Sequence, residues 1–293
     1  MRCGKLYGRE AKRLGIEVLA PDINKSFGSF EVADGKIIFG LSGIKNVGSN
    51  LIEAIIKARN QGGVFVNFKD FLERLEDIDS RSLNKKGIES LIKAGAFDSL
   101  GYTRSSLMGV YELAINNVHD NNKINVSGQM NLLEMTGEVS NKDIDIPDIG
   151  EYPKKIKLSL EKEVLGFYIS DHPLSQRATA LEKIVNFTCD FKQNMDEGQI
   201  LRLDGSYVTM AGILNNKKEL TTKKRDLMAF ANLEDMYGSI EMVIFPQTYA
   251  KYKSLIENEN VLIVKGKLQT DESDVKLLAS EFIDLGYTYL YNK

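Results

Sequence analysis

The residues best suited to chemistry in this sequence form short turns that lead into helices, and the chemistry they suit is phosphate binding. Asn46, Val47 and Gly48 form a tight turn before an amphipathic stretch, residues 49–59, that predicts a helix. Gly48 would let a phosphate approach the backbone, and the amides and positive dipole end of the helix favour an anion. Asn46 suits its place because asparagine enters the left-handed region readily. A purely structural connection between helices has the same pattern.

The pattern recurs further along the chain, where residues 99–104 align with residues 46–51. It leads into another predicted helix, residues 103–115. This repeat favours a paired phosphate-gripping unit. The predicted contacts are Lys45, Asn46, Val47, Gly48, Ser49, Ser99, Gly101, Thr103 and Arg104. Further cations are Lys57, Lys85 and Lys86, although charges of this kind are also typical of a solvated helix face.

A basic stretch lies in the last third of the chain, where period-two alternation predicts strands. Five cations occur within residues 217–225, although the formal net charge of the chain is −3: Lys217, Lys218, Lys223, Lys224 and Arg225. We interpret residues 215–225 as a basic turn between two strands. Phe230 and Tyr237 are candidate stacking platforms for bases, although an aromatic residue in a small barrel is more often part of the core.

An apolar cluster interrupts a polar connection, residues 121–150, that has little helical or strand character. Its apolar members are Met130, Leu132, Leu133 and Met135, and Gln129 precedes them. A flexible linker gains nothing from apolar side chains unless they dock on something. We therefore predict that this peptide binds a partner protein.

Metal and cofactor chemistry is poorly supported. His119 and His172 are isolated, and Cys3 and Cys189 match no metal-ligand spacing, so we expect no metal or cofactor. We interpret residues 171–173 as a turn before a helix, residues 176–185. No apolar run approaches the roughly 18 residues of a membrane span, and no secretory signal is evident. We expect a cytoplasmic protein without a membrane partner.

The predicted elements make an α+β, multi-domain chain. A helix, a short strand and a hairpin precede residue 40, and four helices follow, at residues 49–59, 68–75, 83–94 and 103–115. Connecting helices come after the linker. Three strands, a helix and two strands complete the chain, at residues 207–214, 226–233, 239–245, 246–256, 261–268 and 275–285.

These patterns resemble two known folds and, in combination, one family. The repeated turns resemble tandem helix-hairpin-helix (HhH) motifs, and the strands resemble a five-stranded OB-fold β-barrel. Five motifs occur in the order found in the C-terminal part of the bacterial DNA polymerase III alpha subunit, a C-family DNA polymerase. They are AKRLGIEVLAPDIN at 11–24, FGLSGIKNVG at 39–48, LIKAGAFD at 91–98, EKEVLGFYISDHPL at 161–174 and LEDMYGSIE at 233–241.

The resemblance implies five parts. They are the end of a fingers domain that continues upstream (1–39), a tandem HhH duplex-binding domain (40–120), a linker with a clamp-binding peptide (121–150), connecting helices (151–200) and the OB-fold (201–288). The family's clamp-binding peptide has the general form Gln-x-x-Leu-Phe, and residues 129–133 are similar, with Leu133 in place of the aromatic residue.

The resemblance also implies partners and an absence of catalysis in this segment. Expected partners are duplex and single-stranded DNA, the sliding clamp (beta subunit) and other replisome subunits. The family's polymerase active site lies upstream, so we expect no catalytic residues here and Mg²⁺ only in that separate domain. Two other functions stay open: a protein-interaction scaffold with no nucleic-acid contact, favoured by the modest net charge, and a tRNA-binding type of OB-fold, which leaves the HhH repeat unexplained.

Overall fold

The computed structural model describes residues 16–127, 145–188, 190, 203–257, 259–271 and 274–285. The chain divides into two units, Met1–Ser170 and Asp171–Lys293. Among the described residues, no helix combines the length and the apolar character needed to cross a bilayer. The clamp-binding prediction, residues 129–133, lies outside the described residues, as do the predicted helix 5–14 and Cys3 and Cys189.

The first unit begins with a small sheet in which β3 (Lys36–Ile38) lies between β1 (Val18–Leu19) and β2 (Glu31–Ala33). Strands β2 and β3 form the predicted hairpin, and its turn residues Asp34 and Gly35 both have positive φ, at 52° and 73°. Two positive φ values in a two-residue turn match the right-handed twist of a hairpin. The hairpin prediction is therefore confirmed.

Five helices follow, with 3₁₀ turns between several of them. They are α1 (Ser49–Gly62), α2 (Phe68–Asp79), α3 (Lys85–Ala94), α4 (Arg104–Ser127) and α5 (Lys154–Leu165). Each of α1, α2 and α3 buries residues at helical spacing in one shared core. Asn67 and Asn84 cap α2 and α3 by accepting hydrogen bonds from the amides of Asp70 and Gly87. The predicted all-α region is confirmed.

The helix α4 is longer than the sequence pattern predicts. It continues to Ser127, so residues 121–127 are helical and not part of an irregular linker. No glycine or proline occurs from residue 110 to residue 127, and nothing stops the helix before Gly128. The asparagine-rich composition of the segment was misread as a linker signal.

In the second unit, five strands close into a barrel in the order β4-β5-β6-β8-β7. The strands are β4 (Tyr207–Thr221), β5 (Leu227–Glu234), β6 (Ser239–Ile244), β7 (Val261–Thr270) and β8 (Val275–Asp284). The helix α7 (Pro246–Tyr252) connects β6 to β7, as predicted. Before the barrel, the predicted helix 176–185 is reduced to a 3₁₀ turn, Ser175–Arg177, and the short helix α6 (Ala178–Leu181).

The first hairpin of the barrel corrects the prediction of a long basic turn. β4 continues to Thr221 and pairs with β5 from Lys218–Phe230 to Thr221–Leu227, beyond a bulge near Asn215. Lys217 and Lys218 are therefore strand residues, and only residues 222–226 form the turn. The pattern missed this extension because both faces of the protruding hairpin carry polar side chains, which removes the apolar alternation.

Candidate nucleic-acid interfaces

The first predicted phosphate site, the turn at residues 46–48, is open at the start of α1. Gly48 is the N-cap, no side chain caps the helix, and its first turn carries no acidic residue. A Cβ on Gly48 would meet no atom within 4 Å. Its φ of −84° is one that any residue adopts. Neither the backbone nor the packing requires glycine here, and the start of the helix is open to an external group.

The neighbours of Gly48 hold this turn in place. Asn46 has a φ of 66°, as expected for an asparagine in the left-handed region. Its Nδ2 donates to Ser90 Oγ on α3 at 3.2 Å. Val47 is buried, and the Lys45 amide donates to the Val164 carbonyl at 2.9 Å. The turn is therefore fixed from both sides.

Several cations lie on this unit. The side chains of Lys45, Lys57 and Lys86 are exposed, and within the described part of the chain none of the three forms an ion pair. Lys85 differs, because its Nζ lies 3.1 Å from Glu112 Oε2 on α4. Three of these four lysines are therefore exposed to solvent and form no ion pair within the described residues.

The second predicted site, the turn at residues 99–103, has a different geometry. Gly101 has a φ of 83°, so the backbone itself requires glycine. Ser99 Oγ donates to Asp22 Oδ1 at 3.1 Å. Thr103 Oγ1 accepts from the Ser106 amide at 3.2 Å and donates to the Ile149 carbonyl at 2.8 Å. The hydroxyls of Ser99 and Thr103 therefore both have partners within the unit.

The segment 149–151, which we call the strap, covers the start of α4. Ser105 Oγ donates to the Gly150 carbonyl at 2.8 Å, and the Ile149 amide donates to Ser106 Oγ at 3.0 Å. The Arg104 amide donates to Glu151 Oε2 at 3.2 Å. The Glu151 carboxylate thus occupies the position predicted for a phosphate. Partial burial opposes its ionisation, but hydrogen bonds from the Tyr152 and Arg104 amides and the Lys157 ammonium lower its pKa overall.

Arg104 was predicted to contact DNA, and the structure contradicts this. Its side chain is only 2% exposed, and it binds Asp98 through two nitrogens at 2.8 and 3.1 Å. Its Nη1 lies 3.0 Å from Glu161 Oε1, and Glu161 is itself 1% exposed. Although burial disfavours the charged guanidinium, these carboxylates outweigh it and raise the Arg104 pKa. No sequence pattern linked Arg104 to the distant Glu161.

The five predicted cations of the barrel fall into two groups, one paired with carboxylates and one exposed. Lys217 Nζ lies 3.1 Å from Glu257 and 3.3 Å from Glu219, and its side chain is only 14% exposed. Desolvation lowers its pKa, but the two carboxylates raise it overall. Its charge is neutralised locally. Of the remaining four, none forms an ion pair within the described residues, and all are exposed: Lys218, Lys223, Lys224 and Arg225.

Arg225 sits at the hairpin tip with a φ of 68°, in the region that favours glycine. The turn is closed by the Thr222 amide, which donates to the Asp226 carbonyl, and by the Arg225 amide, which donates to the Thr222 carbonyl. A long cationic side chain therefore occupies a position where the backbone would prefer no side chain. Strain of this kind is often found at functional sites.

The outer face of the barrel carries the predicted aromatic residue and one that the sequence pattern missed. Phe230 is half-buried and points outward, since its neighbours Ala229 and Ala231 point into the core. It pairs across strands with Lys218 and Val243. Tyr237 instead packs edge-on against Phe187, with ring centroids 5.3 Å apart, which makes it a poorer stacking platform.

Phe245 follows β6 and is 49% exposed. It lines a cavity of about 320 Å³ together with Met228, Phe230, Val243, Gln269, Thr270, Asp271 and Lys276. It also lines a second cavity of about 710 Å³, with Lys223 and Lys224 at the rim. The sequence signal for it was an aromatic residue next to the proline that starts α7.

Metal chemistry has no evident location in the described residues. No group of three or more His, Cys, Asp and Glu side chains lies there in a position to hold an ion. His172 belongs to a turn, as predicted: its Nδ1 accepts from the Leu174 amide at 3.2 Å, and its carbonyl accepts from Ser175 Oγ at 2.7 Å. His119 Nδ1 lies 2.7 Å from Glu76 Oε2.

Comparisons with protein families give the class of each part. A family model for the helix-hairpin-helix motif matches residues 15–107, and one for the OB-fold nucleic acid binding domain matches residues 208–285. The chain therefore combines a helical HhH region with a closed OB barrel, and both families are associated with nucleic-acid binding.

Curated relatives narrow the class to one protein family. The chain is 34% identical to DNA polymerase III subunit alpha of Borreliella burgdorferi and 36% identical to that of Mycobacterium leprae, in each case over 95% of its own length. It is 31% identical to the Escherichia coli subunit over 94% of its length. It spans only 23–24% of these relatives. The chain is thus homologous to a segment, about a quarter, of DNA polymerase III subunit alpha.

Proposed function

We propose that the chain acts as the non-catalytic, DNA-holding and clamp-binding C-terminal region of a replicative DNA polymerase III subunit alpha. The observation that carries this proposal is the open glycine turn at the start of α1, within a region that matches the HhH family. The exposed basic hairpin of the barrel supports it. Polymerisation itself would belong to other parts of the relatives' length.

For duplex DNA, the first turn would supply the grip. A phosphate next to Gly48 would meet the free amides at the start of α1 and the positive end of the helix dipole. Lys45 would add charge beside it. Contacts of this kind position a protein on the duplex without reading its sequence. The second turn, with Glu151 against the Arg104 amide, would contribute to the stability of the unit and not to the grip.

For single-stranded DNA, the barrel would supply a basic hairpin next to an outward aromatic face. Lys218, Lys223, Lys224 and Arg225 would contact phosphates, and Phe230 would offer a stacking surface. Grooves that combine cations with stacking platforms bind single strands with little sequence preference.

For the sliding clamp, support comes from the sequence alone. The peptide lies between the HhH region and the OB-fold, where DNA polymerase III alpha subunits carry their clamp-binding peptide. Its residues are Gln129, Met130, Leu132 and Leu133. Leu132 and Leu133 would fill an apolar pocket while Gln129 bonds at its rim. A leucine in place of the aromatic residue lowers contact area, and simultaneous binding of DNA would recover affinity through effective concentration.

The duplex proposal is tested by fluorescence anisotropy of the whole chain with labelled duplex DNA across a salt series. The logarithm of the association constant should fall with the logarithm of salt, with a slope of about −0.9 per phosphate contacted. A flat response would remove the phosphate grip from the proposal.

The clamp proposal is tested by calorimetry with the cognate sliding clamp. A variant with Gln129→Ala and Leu132→Ala should lose binding, while Lys57→Ala on α1 serves as a control that should retain it. If the double variant binds as well as the parent, the clamp assignment is wrong.

A protein-interaction scaffold remains the second candidate, because Lys217 is neutralised and the net charge of the chain is −3. The two functions differ in the consequence of removing charge from the hairpin. Lys223→Gln with Lys224→Gln should weaken single-strand binding more than Lys183→Gln with Lys253→Gln. These two lysines are also exposed and form no ion pair within the described residues, and their replacement removes the same charge elsewhere in the second unit. Equal effects of the two pairs would favour the scaffold.

A further inference from the structure

Phe245 is an exposed aromatic residue whose position is fixed by two elements. It follows the last residue of β6 and is the N-cap of α7, and its carbonyl accepts from the Tyr249 amide at 2.8 Å. Its side chain is 49% exposed although it lies beside the apolar outer face of the barrel. An ordered aromatic residue that the core does not use is suited to bind a ligand.

Phe245 lines two cavities. The smaller, of about 320 Å³, has Phe230, Met228 and Val243 in its lining, and the larger, of about 710 Å³, has Leu278 and Ala279. Both have apolar and polar residues in their linings and fall in the size range of small-ligand sites, about 300–1,000 Å³. A flat aromatic ligand could therefore contact apolar surface on either side of Phe245.

Charges of both signs line these cavities, and the lining of the smaller one includes both Asp271 and Lys276. Lys223 and Lys224 line the larger cavity and have no ion-pair partner among the described residues, while Asp226 is its one acidic lining residue. Lys276 lines the smaller cavity and lies 3.6 Å from Glu241. The free positive charge is thus concentrated beside the larger cavity, where a phosphate of a bound strand would be neutralised.

We infer that Phe245 stacks on an unpaired base, with neighbouring bases of one strand entering the two cavities and a phosphate held by Lys223 and Lys224. The ligand class is single-stranded nucleic acid. The inference rests on the proposed single-strand binding of the barrel and adds the residue that orders the bases. Phe230, which also lines the smaller cavity, provides a second stacking surface.

The test uses the whole chain and a thymidine oligomer that carries a single 2-aminopurine. Stacking on an aromatic ring contributes about 1–3 kcal/mol per base, so Phe245→Leu should weaken binding about fivefold to a hundredfold. Phe245→Tyr keeps the ring and should bind within about twofold of the parent. Tyr207→Leu is the matched control, because Tyr207 is 83% exposed on the same barrel and lines neither cavity.

Fluorescence of the 2-aminopurine gives a second readout. It should change on binding to the parent and to Phe245→Tyr, and the change should be lost with Phe245→Leu at saturating protein. Thermal unfolding checks that the variants remain folded. The same loss with uridine oligomers would support the site equally, since base stacking does not depend on the sugar. The ratio of the affinities for thymidine and uridine oligomers shows whether the site prefers DNA or RNA.

Two results would overturn the inference, and they are distinguishable. If the parent binds single strands and Phe245→Leu binds no more weakly than Tyr207→Leu, the strand lies elsewhere on the barrel and the proposed function survives. If the parent binds no single strand at any salt concentration, the proposed single-strand function fails and the stacking site with it.

Discussion

The two turns that looked alike in the sequence, at residues 46–48 and 99–103, have opposite surroundings. The first leads into a helix start that no side chain caps. At the second, the strap supplies the Ile149 carbonyl and the Glu151 carboxylate to the first residues of α4. The first helix start thus has no side-chain cap, whereas the Arg104 amide at the second already contacts a carboxylate.

The two glycines express the same difference. A Cβ on Gly48 or on Gly101 would meet no atom within 4 Å. Only Gly101 has a positive φ, at 83°, so only Gly101 is required by the backbone. The comparison teaches that a repeated glycine turn need not have a repeated function, because glycine can serve backbone geometry in one copy and close approach of a ligand in the other.

The largest effect should come from the buried charges behind the second turn. Arg104→Met would leave Glu161, which is 1% exposed, without its cationic partner and, among the described residues, with only the hydrogen bonds from Ser170. Removing one member of a buried ion pair costs about 3–5 kcal/mol. We expect a loss of this size in the free energy of unfolding, measured by urea denaturation with hydrogen exchange of α4 peptides. A DNA-contacting Arg104 would instead give a stable variant with weaker duplex binding, and Lys57→Met serves as the surface control.

The next effect separates the two glycines directly. Gly48→Ala should lower the free energy of unfolding by less than about 1 kcal/mol, because glycine is a better N-cap than alanine. It should weaken duplex binding about tenfold, since a charge-assisted hydrogen bond to a phosphate contributes about 1.5–3 kcal/mol. Gly101→Ala should lower the free energy of unfolding by about 1–2 kcal/mol through left-handed strain and leave duplex affinity unchanged. For both variants, fluorescence anisotropy measures the duplex affinity and urea denaturation measures the free energy of unfolding. If both weaken duplex binding equally, the two turns are equivalent and the comparison fails.

A smaller effect should come from the strap. Glu151→Gln removes the negative charge beside the start of α4. It should lower the free energy of unfolding by about 0.5–1 kcal/mol. Because the pKa of Glu151 is lowered below 4.5 in the folded state, its contribution is complete above that pH. It is lost as the pH falls through the folded pKa. The stability difference between parent and variant, measured from pH 7 to pH 3, should therefore shrink in acid.

Glu53→Gln on the exposed face of α1 is the control for the strap, since Glu53 has no ion pair within the described residues. Its difference from the parent should be smaller at neutral pH. A Glu151 difference that stays constant down to pH 3 would contradict the assigned contact with the Arg104 amide.

The smallest effect should come from single cations near the first turn. Lys45→Gln should lower duplex affinity a few-fold and reduce the salt slope by about 0.9, the value for one phosphate contact. Lys85→Gln removes the same charge, but its ammonium already lies 3.1 Å from Glu112, so its slope should change less. Equal changes would show that the first turn does not orient the phosphate.

Much of the fold was predictable because its signals are local. Helical spacing placed α1, α2 and α3 to within a few residues, and period-two alternation placed all five barrel strands. The errors also have local causes. Asparagine-rich sequence hid the end of α4, and polar residues on both faces hid the extension of β4 to Thr221.

The candidate site was predictable only in part. Asn46 and Gly48 were chosen for their backbone preferences, and the structure places them as those preferences require. Arg104 and Lys217 were chosen for their charge alone, and both proved to be paired with carboxylates. Phe245 was missed because exposure of an aromatic residue depends on how the barrel closes around it.

By itself the sequence determined the order of the elements, the glycine turns and the places where cations and apolar peptides occur. These depend on the conformational preferences of neighbouring residues and on hydrophobic periodicity, which are short-range effects. Only the tertiary structure decided which turn stays open, because the carboxylate that covers the second comes from Glu151, 47 residues beyond Arg104. Packing between segments that are distant in the chain decides which charged groups form ion pairs. That packing distinguishes a turn that stays open from one whose groups are already bound.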